Sequence, residues 1–163
     1  MQLGAYQFRE MTRADLPLVR TWLTHPHVIE WWGDTEEQYK LVEEDLANPA
    51  MRQFIVAFDA IPFAYVQNYD LDEGTDAAFG DLPPGARAID QFIGEPDMAN
   101  RGHGSAFIRA LADKLLADGA SCVITDPDVD NARAIRAYEK AGFSKQGVVH
   151  TLEGPALLMV RTP

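Results

Sequence analysis

The segment that most constrains the fold runs from Ala88 to Ser105. Ala86 to Ile93, which includes Ala88-Ile89-Asp90-Gln91-Phe92-Ile93, reads as a strand, and Arg101-Gly102-His103-Gly104-Ser105 then opens a helix expected over Gly104 to Ala117. Phe107, Ile108, Leu111 and Leu115 fall at helical spacing and are expected to face inward. Two glycines one residue apart let the backbone turn tightly and let a ligand approach without meeting a Cβ. The first helical turn offers N–H groups at the positive end of the helix dipole, a setting that suits a phosphate or pyrophosphate. Arg101 adds a cation beside it. The same residues also describe a plain strand-to-helix turn. No Gly-Lys-Ser/Thr follows, so this is not a Walker loop, and the dinucleotide fingerprint lacks its third glycine.

Strands and helices alternate around this unit. Tyr6 to Met11 alternates apolar and polar residues as a half-buried strand does. Thr12 and Asp15 stand at the spacing of a capping box, ahead of a helix with Leu16, Val19, Trp22 and Leu23 on one face. Pro26 is expected to interrupt helix at His25. Thr35 with Gln38 reads as a second cap, opening a helix with Tyr39, Val42 and Leu46 that stops at Asn48-Pro49. Gln53 to Phe58 and Pro62 to Tyr69 form a predicted strand pair, followed by a long acidic loop from Asp70 to Gly85. Loops of that length are usually functional or mobile. Ser121 to Thr125 reads as a short buried strand and Asn131 to Ala141 as a helix ended by Gly142. Phe143 to Thr151 and Pro155 to Val160 close the chain as a hairpin around Glu153-Gly154. The expectation is one mixed α/β domain over residues 1–163.

Composition narrows the function. With 47% apolar residues in 163, the chain can bury a real core. Its formal charge of −11, from 14 Lys+Arg against 25 Asp+Glu, repels polyanions. Nucleic acids and anionic membranes are therefore poor partners and cationic molecules good ones, although an acidic surface also serves solubility. Cys122, the sole cysteine, excludes an internal disulfide and lies in the apolar run Cys122-Val123-Ile124, as a buried strand thiol would. His25, His27, His103 and His150 are scattered, so no metal is expected. The N-terminus lacks a basic, apolar leader, and no apolar run approaches the roughly 20 residues of a membrane span. A cytoplasmic protein is expected.

The second half carries a longer pattern. After Thr125-Asp126-Pro127 comes Asn131-Ala132-Arg133-Ala134-Ile135-Arg136-Ala137-Tyr138-Glu139-Lys140-Ala141-Gly142-Phe143. Strand, glycine loop, helix, strand and this helix in that order resemble the GNAT superfamily of acetyl-CoA-dependent N-acetyltransferases. There an R/Q-x-x-G-x-G/A loop holds the CoA pyrophosphate, and an N-x-x-A-x-x-x-Y-x-x-x-G-F helix completes the cofactor cleft. Arg101 to Ala106 fits the loop pattern, with Gly102 as an extra glycine. His25-Pro26-His27-Val28-Ile29-Glu30-Trp31-Trp32-Gly33, Tyr65-Val66-Gln67-Asn68-Tyr69, Gly85 to Gln91 and Gly154-Pro155-Ala156 resemble the aminoglycoside 6′-N-acetyltransferases. The paired tryptophans are shared with acetylases of hydroxylysine-type siderophore precursors. The resemblance implies an α/β (α+β) fold of the GNAT type, a mixed central sheet with helices on both faces.

It also implies roles for particular residues. Arg101, Gly102, His103, Gly104, Ser105, Ala106 and Asn131 would hold acetyl-CoA, and the thioester oxygen would take a backbone N–H near Phe92 or Ile93. Asp90 matches the general base. A carboxylate with a pKa near ~4 is a weak base for an ammonium near ~9–10, so Asp90 could instead orient the ammonium and pass its proton through water. A structural hydrogen bond is the plain alternative. Tyr138 matches the donor to the departing sulfur, and otherwise reads as a core aromatic with Ala134 and Ile135. Trp31, Trp32, Gln67, Tyr69, Asp90, Asp126 and Glu153 would face the acceptor, with ordinary core packing as the plain alternative for the two tryptophans. Further candidate acids are Asp70, Asp72, Glu73, Asp76, Asp81, Asp128 and Asp130. The long loop holds one aromatic, Phe79, where antibiotic-modifying relatives carry pairs. The expected acceptor is an aminoglycoside; hydroxylysine, a polyamine or a non-catalytic acyl-CoA-binding role are the alternatives. A monomer is expected, with Leu157-Leu158-Met159-Val160 as a candidate edge strand for dimerisation.

Overall fold

The computed structural model describes residues 1–71 and 77–163. Asp72, Glu73 and Asp76, named above as candidate acids, lie outside the described residues. Eight strands are ordered β1-β2-β3-β4-β5-β6-β8-β7: β1 is Gln2–Leu3, β2 Tyr6–Glu10, β3 Met51–Phe58, β4 Ile61–Asp70, β5 Arg87–Ile93, β6 Val123–Thr125, β7 Ser144–Thr151 and β8 Gly154–Arg161. Among the described residues five α-helices accompany them: α1 Leu16–Leu23, α2 Pro26–Trp32, α3 Thr35–Asp45, α4 His103–Ala117 and α5 Ala132–Lys140. The sheet is mixed. β1–β2, β2–β3, β6–β8 and β7–β8 pair antiparallel, whereas β5–β6 pair in parallel through Arg87↔Val123 and Ala88↔Ile124. A parallel pair needs a long crossover, which α4 supplies.

The chain divides into two compact units. The first comprises Met1–Asn68 and Asp90–Arg101. Its core gathers Leu16, Val19, Trp22 and Leu23 of α1, Val28 of α2 and Val42 of α3 against Ile55, Tyr65 and Phe92 of the strands. Before α1, the Thr12 N–H donates to Asp15 Oδ2 at 2.9 Å. Pro26 does not merely interrupt: it starts α2 from the first helical position, where its missing N–H is harmless. Capping of α3 also differs from expectation. Asp34, not Thr35, accepts from the Glu37 N–H at 3.0 Å, while Thr35 Oγ1 donates to the Leu23 carbonyl at 2.7 Å. A stronger capping acid one residue earlier wins the position.

The second unit comprises Tyr69–Ile89 and Gly102–Pro163. Phe79, Ala86, Ala88, Cys122, Ile124 and Leu158 form an apolar cluster there, with Tyr69 packed against it. The single aromatic of the long loop is thus core. Burial raises the Cys122 thiol pKa above its ordinary value, as for an inert strand thiol. Phe107, Ile108, Leu111 and Ala112 of α4 are buried, while Leu115 is half-buried. The candidate edge strand needs correction. β8 lies between β6 and β7, with Leu158 and Met159 buried, so its pairing groups are already used. The outer strand of this unit is β7.

Candidate active site

In the first unit the site is built on alternate positions of three consecutive strands. Residues two apart point to one face, which aligns Gln53 on β3, Tyr65 and Gln67 on β4 and Asp90 on β5. Asp90 is half-buried, and its Oδ2 accepts from Gln67 Nε2 at 3.0 Å. Gln67 Oε1 accepts from the fully buried Tyr65 hydroxyl at 2.7 Å. Gln53, also buried, donates to that hydroxyl at 2.9 Å and to the Val42 carbonyl at 3.0 Å. Burial is the main cause that pushes the Tyr65 phenol far above its ordinary range, so it stays protonated.

Aromatic packing fixes the strand ends. The Phe92 ring stacks on Tyr65 at 5.4 Å, and Trp32 meets Phe92 edge-on at 4.9 Å and Tyr65 at 6.1 Å. Trp32 is therefore half-buried against the core, while Trp31 is exposed. Two features escaped the sequence reading. His27 Nε2 lies 2.8 Å from the Ile93 carbonyl; a carbonyl only accepts, so the imidazole carries its hydrogen on Nε2. Gly94 and Glu95 then donate to the one Phe63 carbonyl at 2.8 and 3.1 Å, ending the strand. A Cβ on Gly94 would sit 2.2 Å from the Trp22 indole. The signal for both was present as a histidine after a helix-starting proline and a glycine at a strand's end. Arg101 is exposed at the end of this unit.

In the second unit Gly102 caps α4 in the left-handed region, φ 82°. It is the glycine the turn requires, whereas Gly104 lies inside the first helical turn. α4 therefore starts at His103, one residue before the expected Gly104. The Ala106 N–H closes the first helical bond on the Gly102 carbonyl at 3.2 Å, and Ser105 Oγ donates to the same carbonyl at 3.2 Å. The backbone N–H groups of His103, Gly104 and Ser105 precede that first bond, at the positive end of a 15-residue helix. Such a terminus can receive a phosphate group.

α5 begins at Asn131, whose Oδ1 accepts from the Ala134 N–H at 3.2 Å, so its side chain serves as a helix cap. Tyr138 is buried on that helix, its ring edge-on to Phe143 at 5.6 Å. Asp126 follows β6 and is half-buried. Glu153 is exposed in the β7–β8 turn, where its N–H donates to Thr151 Oγ1 at 3.2 Å. Asp70 is ion-paired with Arg87, and Asp128 Oδ1 accepts from the Asp130 N–H at 2.8 Å. Asp81 is exposed. Among the described residues no three His, Cys, Asp or Glu side chains group to hold a metal, and no helix is long and apolar enough to cross a membrane.

The first unit thus carries a held carboxylate within β5, and the second a left-handed glycine opening a helix N-terminus. The family model for the acetyltransferase (GNAT) domain matches residues 11–151. The chain belongs to the GNAT acetyltransferases. It is similar to the aminoglycoside N(6′)-acetyltransferase type 1 of Klebsiella pneumoniae, with 38% identity over 94% of this chain and 81% of that protein. The solved structure of AAC(6′)-Ib with paromomycin and acetyl-CoA superposes at a TM-score of 0.87, with 34% identity over 98% of this chain and 94% of the other. The same enzyme with coenzyme A and kanamycin gives 0.84 and 36%, over 96% and 94%.

Proposed function

We propose that the chain transfers acetyl from acetyl-CoA to the 6′-amine of aminoglycosides, by direct transfer in a ternary complex and as a cytoplasmic monomer. The observation that carries this reading is the half-buried Asp90 carboxylate, on the strand that precedes the glycine loop, held by Gln67 of the neighbouring strand. The relatives named above supply the acceptor class and the acetyl donor.

In this mechanism the α4 N-terminus with Arg101, Gly102, His103, Gly104, Ser105 and Ala106 takes the pyrophosphate of acetyl-CoA. A backbone N–H near Phe92 or Ile93 polarises the thioester carbonyl. Asp90 accepts a hydrogen bond from the 6′-ammonium, orients it and relays its proton through water. The neutral amine then attacks the carbonyl carbon; the carbon–sulfur bond breaks, the Tyr138 hydroxyl protonates the departing thiolate, and the extra proton on the new amide nitrogen leaves through water, which restores the Tyr138 hydroxyl. Asp126 and Glu153 bind other ammonium groups of the drug, with Gln67, Tyr69, Trp31 and Trp32 as its remaining walls. Asn131 supports the cofactor side by starting α5. Cys122 takes no part, since its thiol is buried and its pKa is raised by desolvation.

The test is acetyl-CoA-dependent thiol release with a kanamycin-type drug bearing a free 6′-amine, beside an analogue with a 6′-hydroxyl. Turnover on the amine alone is expected. Binding of acetyl-CoA without turnover on either drug overturns the aminoglycoside assignment and moves the assay to hydroxylysine and polyamines. Failure there too would leave a non-catalytic acyl-CoA-binding domain.

A further inference from the structure

The hydrogen bonds that end on Asp90 have a direction, and that direction is set at their far end. The Val42 carbonyl can only accept, so Gln53 must turn its NH2 group toward it. That NH2 also donates to the Tyr65 hydroxyl, which is left to send its own hydrogen onward to Gln67 Oε1. The face of Gln67 that remains for Asp90 is its NH2. Reversing the Gln67 amide would strand the buried phenolic hydrogen without its acceptor, a loss that burial makes unfavourable. We propose that Gln53 and Tyr65 are positioning residues: they lock the Gln67 amide with its NH2 toward Asp90 and so hold that side chain as an oriented carboxylate for the acceptor's ammonium.

Packing alone does not require the hydroxyl. The Tyr65 ring contacts Phe92 and Trp32 through its faces and edges, and a phenylalanine would keep both contacts. The charged groups acting on the phenol are Asp45, from the end of α3, and Asp90 from β5. Both are negative, and burial acts in the same direction, so the hydroxyl keeps its hydrogen. Nothing along this chain of bonds transfers a proton to the substrate; its effect is to choose the orientation of one amide.

The inference rests on the assignment of Asp90 made above, and the deciding measurement is independent of turnover. Carbon-13 labelling of aspartate carboxyls, with the Asp90 signal assigned from Asp90→Asn, gives the Asp90 titration by NMR. In Tyr65→Phe the Gln67 amide can turn over and accept from a protonated Asp90, so the midpoint should rise by about one pH unit. Gln53→Leu frees the Val42 carbonyl and removes the NH2 that keeps the phenolic hydrogen turned toward Gln67, so the hydroxyl can turn away and accept from Gln67 instead; it should move the midpoint in the same direction. The acid limb of kcat/KM should follow by the same amount while KM for acetyl-CoA stays within about twofold. An Asp90 midpoint unmoved in either variant, with its far-UV spectrum intact, overturns the proposal. In the unmodified protein the Gln67 side-chain NH2 signals must titrate with the Asp90 midpoint; their indifference overturns it without any variant. A shifted midpoint without aminoglycoside turnover would leave the lock standing and remove the proposed function.

Discussion

Arg9 grips the Asp15 carboxylate with two guanidinium N–H groups, at 2.8 and 2.6 Å, while the Thr12 N–H adds a third bond at 2.9 Å. The hydrogen bond from Arg9 is the largest cause holding the Asp15 pKa below its ordinary value, against the opposing effect of burial. A lowered acid contributes stability that is present above its unfolded pKa near ~4 and lost as pH falls through the folded value. Arg9 is half exposed, so the contribution is discounted to about 1 kcal/mol. Asp15→Asn should therefore lower Tm at neutral pH by about 2–4 °C, and the mutant and parent curves should come together only as pH falls below the ordinary carboxylate range. Equal Tm values at neutral pH would show that the pair adds nothing. Catalysis offers a second test at this scale. Asp90→Asn keeps the side chain's shape but removes its charge, and should lower kcat by about 10²–10⁴-fold. Tyr138→Phe keeps the ring against Phe143 and removes the proposed proton donor; its kcat should fall by at least about tenfold with little change in KM. A kcat unchanged in either variant removes that residue from the mechanism.

The β3–β4 hairpin turns on Asp59 and Ala60, both with positive φ, 50° and 63°. Two left-handed residues are what a two-residue hairpin needs to match strand twist, but a Cβ on Ala60 strains that conformation by about 1 kcal/mol. Ala60→Gly relieves the strain and should raise Tm by about 2–4 °C; a lower Tm would mean that the entropy of the unfolded glycine dominates. At this scale the chain was readable wherever a local rule acts alone. α5 was legible from Asn131 at its start to Gly142 at its end, because a capping oxygen and a left-handed glycine are written into those residues. The strands of both hairpins were legible from alternation and turn residues. α2 was not, since Pro26 stops one helix and starts another with the same ring. α4 starts at His103, one residue before expected, because spacing alone does not say which of the two glycines takes the positive φ. The interior place of β8 and the bonds from Gln53 to Asp90 depend on strand order and pairing, which join residues far apart in the chain. Gln67 was nominated as a residue facing the substrate, and Tyr65 and Gln53 had no visible partner until the strands were placed side by side.

For the whole molecule, an excess of 11 negative charges over 163 residues acts on reactants of opposite sign in opposite ways. An aminoglycoside is a polycation and should be drawn in; acetyl-CoA is an anion and must be held locally, against the general field, by a helix terminus and by cations such as Arg101. Diffusional attraction of this kind is screened over about 8 Å at physiological salt and over about 30 Å at 0.01 M. Raising salt from about 0.01 to 0.2 M should therefore lower kcat/KM for kanamycin by about tenfold or more, since electrostatic enhancement of encounter spans roughly 10–10³-fold. The kcat measured at saturation should stay within about twofold, because the ammonium is then already bound. KM for acetyl-CoA should stay level or fall, as the same screening weakens the repulsion of its phosphates. Steady-state kinetics across a salt series read all three quantities from one protein. A kcat/KM for kanamycin that ignores salt would mean that the acidic surface serves solubility alone, and that recognition rests on the few carboxylates in direct contact with the drug.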